Sequence, residues 1–187
     1  MPPDLLRIIA FCTYLAAWLV FAIGAAAGAI PALRRQTAAA RLITAPVAIG
    51  ALLQVASAMV LTLSLTSGPL RPPQLQLAAV IALAPLGAFI FIWSLRSVPR
   101  DAGPETLVTA GAYSRLRHPI YLAFLAMLLA TGLLVATAPR VALAIVIYLA
   151  GTEMRVGDEE RELSERHGDE FEQYRHRTRW RYLPGIR

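Results

Sequence analysis

Three groups of side chains in this 187-residue chain have types and spacings suited to chemistry. The first surrounds Pro119. A proline suits the first turn of a helix, and a helix start offers free N–H groups and a dipole that favour an anion beside His118 and Pro119. The second is Arg155, with Glu159 one helical turn later and Glu160 beside it. The arginine can orient the acid, and either glutamate can accept from hydroxyls or pair with an ammonium. The third is the tyrosine pair Tyr113 and Tyr121, whose rings can face an aromatic base or a cation. Each group also has a plainer reading. Arg155 and Glu159 can be a surface i,i+4 pair, the tyrosines can be membrane-interface residues, and His118 can cap a helix.

Other chemistries are poorly served. No glycine-rich nucleotide loop follows a strand, which argues against a Rossmann-type domain. His118, His167 and His176 have no metal-ligand spacing with one another. The run Asp158-Glu159-Glu160 points its acids in different directions around a helix and has no histidine four residues on, so no metal site is expected. A single cysteine, Cys12, lies in an apolar run and excludes a disulfide framework.

The elements that must carry these groups are set by an apolar composition. The chain is 57% hydrophobic and 16% charged, too little charge for an ordinary soluble surface. Residues 1–100 hold one acid, Asp4, and the other eleven lie from Asp101 to Glu172. The +6 net charge gathers in loops and tail and forms no basic face, so nucleic acid is not an expected partner. Charge-free runs from Ile8 to Leu33, Leu42 to Leu70 and Pro72 to Leu95 each exceed the ~20 residues that cross ~30 Å of hydrocarbon. The run from His118 to Pro139 makes a fourth span, and Val141 to Thr152 is a short fifth.

The arginines orient these spans. Loop 31–41 carries Arg34, Arg35 and Arg41; loop 96–117 carries Arg96, Arg100, Arg115 and Arg117; and the tail from Arg155 carries eight more. Those fifteen belong on the cytosolic side, leaving Arg7, Arg71 and Arg140 outside. Five crossings with the N-terminus out and the C-terminus in satisfy every loop. The expected fold is therefore an all-α integral membrane bundle of about five transmembrane helices with a cytosolic C-terminal helical segment. Residues 1–100 hold the first three spans and 101–187 a cofactor-binding region. The break at Ala136-Thr137-Ala138-Pro139 should make spans four and five a tight hairpin. Glu153 falls ~20 Å along the fifth helix, either near the inner hydrocarbon with a function or in the headgroups. Gly168 should end one helix, and Asp169 with Glu172 should cap the next. From Gln173 onward five arginines and no acid suit anionic lipid headgroups. Gln54, Thr62 and Ser64 in the second span read as interhelical bonding groups.

The pattern Gly111-x-Tyr113-x-x-x-Arg117-His118-Pro119-x-Tyr121, followed by Arg155-x-x-x-Glu159-Glu160-x-x-Leu163, resembles the isoprenylcysteine carboxyl methyltransferase family and its bacterial phospholipid-methyltransferase relatives. The resemblance runs over roughly residues 105–184 and includes Arg179-Trp180-Arg181-Tyr182. Departures from the family pattern are Ala123 in place of Gly, His167 in place of an aromatic and Phe171 in place of Tyr; the first should narrow a substrate groove. The resemblance implies an S-adenosylmethionine cofactor held by Tyr113, His118, Pro119, Tyr121, Arg155, Glu159 and Glu160. It also implies a lipophilic or prenylated acceptor; Arg155, Arg179 and Arg181 are the expected catalytic residues, and of these Arg179 and Arg181 are the candidates to hold the acceptor's carboxylate. The expected setting is a bacterial cytoplasmic membrane, among membrane lipids. Competing expectations are an amine or thiol acceptor, a membrane reductase using a nicotinamide, and a transporter or scaffold. Transport is disfavoured because the polar groups gather at the cytosolic ends rather than at mid-span.

Overall fold

The computed structural model describes residues 3–36, 45–62, 72–99, 101–103 and 106–186. The described residues are helical and contain no strand. Six α-helices follow in order: α1 (Pro3–Gln36), α2 (Ala45–Thr62), α3 (Gln74–Ser97), α4 (Pro119–Val135), α5 (Ala138–His167) and α6 (Asp169–Arg177). Of these, Asp4–Ala26 in α1 and Gln74–Ser97 in α3 are long and apolar enough to cross a membrane, with mean hydropathies of 2.2 and 2.3. Ala45–Leu61 and Pro119–Val135 are apolar but shorter. Large apolar side chains face outward, among them Ile8, Leu19 and Ile23 on α1, Leu52 on α2, Phe89 on α3 and Val146 on α5. Such a surface is stable against hydrocarbon and poorly suited to water.

Helix pairing follows the small residues. α1 lies on α3 through Phe21 and Phe91, whose rings stack at 4.2 Å. α3 lies on α4, where Gly87 comes so close that a Cβ there would sit 3.1 Å from the Ala123 carbonyl oxygen. Ala123 is fully buried at that seam among Ala84, Ala88 and Met127, so it packs helices together and does not line a substrate groove. α5 lies chiefly on α2 at the Gly50–Gly151 crossing. A methyl on Gly151 would stand 2.6 Å from the Gly50 carbonyl oxygen and 2.9 Å from Leu53 Cβ, neither of which can yield without moving a helix. Gly151→Ala is therefore expected to cost about 1–3 kcal/mol. Gly157→Ala, further along the same helix with nothing within 4 Å of the added methyl, should instead stabilise by roughly 0.5–1 kcal/mol. Thermal unfolding in detergent separates the two, and equal midpoints would refute the tight crossing.

Several boundaries differ from the sequence expectation. α1 continues to Gln36, placing Arg34 and Arg35 on a helix rather than in a loop, because the segment after Pro31 is built from good helix formers. The fifth span and the first cytosolic helix are one continuous helix, α5, since no residue between Thr152 and His167 breaks it. Gly168, at φ +49°, ends α5 as expected. It also occupies the N-cap position of α6, and no side chain caps that helix, so the expected Asp169–Glu172 cap does not form. α4 and α5 are joined by only Ala136 and Thr137. Gln54 bonds Thr152 across to α5, an interhelical contact as expected. Arg41, Ser64, Arg71 and Arg100 lie outside the described residues, as does the side chain of Thr62.

Candidate active site

The loop before α4 is fixed from both sides. Gly111 adopts φ +62°, a left-handed conformation open to glycine, and a Cβ there would collide with Ser97 at the end of α3. Ser97 Oγ accepts instead from the Ala112 amide at 2.9 Å, anchoring the short 3-10 turn Gly111–Ser114 that presents Tyr113. On the other side the C-terminal tail folds back. The Arg117 and His118 amides donate to the Trp180 and Arg181 carbonyls at 3.0 and 2.8 Å. Arg117 Nη1 donates to the Thr178 and Arg179 carbonyls at 2.8 and 2.9 Å. Tyr174 on α6 closes the corner by donating to the Tyr113 carbonyl at 2.7 Å.

A chain of charges runs between this loop and α5. His118 sits at the N-cap position of α4 without a side-chain capping bond, because its ring is used elsewhere. Nδ1 lies 3.2 Å from Glu159 Oε2, and Nε2 lies 3.3 Å from Glu160 Oε1. A ring facing a carboxylate on each nitrogen is satisfied when both nitrogens carry protons. Burial disfavours that cation, but the hydrogen bonds and charges of Glu159 and Glu160 outweigh it and raise the His118 pKa above its ordinary 6.5. Burial likewise opposes ionisation of Glu160, yet His118 and Arg117 overcome it and hold its carboxyl at about 2. Glu159 is lowered too, against burial, by His118, the Tyr121 hydroxyl and Arg155. Tyr121 donates to Glu159 at 2.5 Å. Arg117 Nε donates to Glu160 at 2.7 Å. Arg181 bonds Glu153 at 2.7 Å and brings Nε within 3.3 Å of Glu160, without hydrogen-bond geometry there. The Tyr182 hydroxyl also donates to Glu153. Glu153 is thus tied to the tail.

Beside this chain lies a cavity of about 400 Å³. Of the residues singled out in the sequence, Tyr113, His118, Tyr121, Arg155 and Glu159 line it. Pro119 and Glu160 stand behind the wall, Arg181 is committed to Glu153, and the Arg179 side chain points away, exposed. Burial and the nearby Glu159 push the Tyr113 hydroxyl up to about 12, keeping it neutral. Sequence reasoning did not single out Arg117, Glu162, Arg166, Phe124 and Tyr174 as site residues, although they also line the cavity. Arg117 was legible within the motif; Phe124 and Tyr174 carried no signal beyond apolar helix spacing. Both His118 nitrogens are used internally, so an anion in the cavity gains no donor from that ring. Arg155 also lines the cavity, and its Nε is buried and without a hydrogen-bond partner. The Arg155 guanidinium lies 5.5 Å over the Tyr121 ring, and its contact with Glu159 is long, 3.9 Å. It is more than a surface i,i+4 pair.

An all-helical bundle with an apolar surface, two helices long and apolar enough to cross a membrane, and a cavity beside a cluster of ionisable groups is consistent with a helical membrane protein. Residues 74–165 match the family model described as the Isoprenylcysteine carboxyl methyltransferase (ICMT) family, and this segment belongs to that family, a family of membrane methyltransferases. The match takes in α3, the Gly111–Tyr121 loop and the Arg155–Leu163 face of α5, and stops before the tail that packs on them. No curated protein gives a significant match to the chain.

Proposed function

We propose that the protein transfers a methyl group from S-adenosylmethionine to a carboxylate on an amphiphilic, prenylcysteine-like acceptor. The observation that supports this most is the cavity wall, where Arg155, Glu159, Tyr113 and Tyr121 come together. That donor set fits the cofactor, and about 400 Å³ falls within the ~300–1,000 Å³ of small-molecule pockets. Arg155 suits a carboxylate, Glu159 an ammonium or ribose hydroxyls, and the rings an adenine or a sulfonium. When bound, S-adenosylmethionine supplies a methyl group on a positively charged sulfur. The chain's task is alignment: Arg155, Glu159 and the tyrosines hold the donor, and Arg166, paired with Glu162 at 2.5 Å, offers a second cation for the acceptor. Phe124, partly exposed on α4, gives the cavity an apolar wall suited to the acceptor's lipid portion.

The proposal includes five crossings, N-terminus out and C-terminus cytosolic, in a bacterial cytoplasmic membrane. Residues 1–100 complete the bundle, and 101–187 form the cofactor region facing the cytosolic pool. The direct test titrates purified protein with S-adenosylmethionine and, separately, with nicotinamide dinucleotides. Saturable binding of the first alone is expected; binding of a dinucleotide alone would make the protein a reductase.

The acceptor class predicts a pH profile. A carboxylate is ionised above its reference pKa of ~4 and needs no base, whereas an amine must first lose a proton. His118, with a carboxylate facing each ring nitrogen, is poorly placed to act as that base. With donor and acceptor both saturating, turnover from pH 5.5 to 9 should be nearly flat. A tenfold climb per pH unit in the chemical step would indicate an amine or thiol acceptor.

A further inference from the structure

α2 lies outside the family-matched segment and carries no recognised motif, yet one of its side chains reaches the cavity wall. Gln54 Oε1 accepts from Arg155 Nη1 at 3.1 Å, across 101 residues of sequence. Its Nε2 donates to Thr152 Oγ1 at 3.0 Å, and Thr152 is fully buried. The amide is therefore held at both ends, oxygen to the arginine and nitrogen to the helix that bears it. The close Gly50–Gly151 crossing one turn away fixes the distance over which it works, since a Cβ on Gly50 would sit 2.6 Å from Arg155 Cγ.

We infer that Gln54 is a positioning residue for cofactor binding, acting through Arg155. The arginine has three nitrogens to place. Nη1 is taken by Gln54, Nη2 faces Glu159 at 3.9 Å, and Nε is left buried without a partner. Without Gln54, the guanidinium is free to swing toward Glu159 and close a short salt bridge, which withdraws both groups from a ligand at once. α2 thereby takes part in the site and does more than complete the bundle.

This inference rests on the proposed S-adenosylmethionine site. The test is isothermal titration of the full-length, detergent-solubilised protein with S-adenosylmethionine, using wild type, Gln54→Leu, Gln54→Glu and Thr152→Val. Gln54→Leu keeps the volume and loses the acceptor, and should bind about tenfold more weakly, the worth of one hydrogen bond to a charged group. Gln54→Glu still accepts from Arg155 and should stay within about threefold of wild type. Thr152→Val frees the far end of the amide and should weaken binding by about threefold. Thermal midpoints identify any variant that fails to fold; if Gln54→Leu does, Thr152→Val decides. Gln54→Leu binding within twofold of wild type, Gln54→Glu as weak as Gln54→Leu, or Thr152→Val unchanged where it decides, would overturn the positioning role while leaving the cofactor site intact. A wild type that does not bind S-adenosylmethionine would overturn the site itself and the inference with it.

Discussion

Arg117→Ala is expected to destabilise the protein by about 3 kcal/mol, the low end for removing one member of a buried ion pair, because His118 and Arg181 stay beside Glu160. Only 4% of the Arg117 side chain and 12% of the Glu160 side chain remain exposed, so water cannot replace the lost partner. The same guanidinium holds the tail through the Thr178 and Arg179 carbonyls, and those acceptors lose their donor at the same time. Arg115→Ala, two residues earlier on an exposed side chain, should change stability by less than about 0.5 kcal/mol. Thermal unfolding in detergent, compared at one pH, reads both. A midpoint for Arg117→Ala within error of Arg115→Ala would mean that Glu160 is solvated and that the tail is not pinned.

The second large effect concerns the clamp around His118. Glu159→Gln and His118→Ala should each weaken S-adenosylmethionine binding by ~1–3 kcal/mol, whereas Glu172→Gln should not. Glu172 pairs with Arg175 on the outer face of α6, away from the cavity, and serves as the control. Glu159→Gln removes the charge that meets His118 Nδ1 and the acceptor of the Tyr121 hydroxyl. His118→Ala leaves Glu159 and Glu160 facing each other without the cation between them. A third of the Glu159 side chain is exposed, which favours the lower end of the range. Equal affinities in all three variants would reduce the Arg155–Glu159 face to a helix surface.

The clamp also gives stability a pH dependence of known sign. The folded pKa of His118 is raised above 6.5, so its contribution is full below 6.5 and is lost as pH rises through the folded value. The folded pKa of Glu160 is lowered from 4.5 to about 2, so its contribution is full above 4.5 and is lost as pH falls toward about 2. Both are complete between roughly pH 4.5 and 6.5. Removing the imidazole in His118→Ala should flatten the alkaline side of the stability curve and leave the acid side governed by Arg117 and Glu160.

Much of the architecture was legible because the information is local. Apolar runs such as Pro72–Leu95 are long enough to specify a helix without reference to the rest of the chain, and Ala136–Pro139 leaves room for nothing but a short turn. Pro119 marks a helix start by its own covalent geometry, and Arg155 with Glu159 declares a shared face by spacing alone. Those residues were identifiable as a group. What each side chain does was decided elsewhere. His118 reads as a helix cap or an anion contact until Glu159 and, 42 residues on, Glu160 take both its nitrogens. Arg181 reads as a headgroup or acceptor contact until Glu153 on α5 claims it. Gln54 reads as one polar group in an apolar span until the Gly50–Gly151 crossing carries it to Arg155. Sequence spacing determined which residues share a helix face, because a helix repeats every ~3.6 residues whatever surrounds it. Only tertiary structure decided which acid meets which base, because a pairing across a hundred residues depends on how closely two helices cross and leaves no periodic trace along the chain.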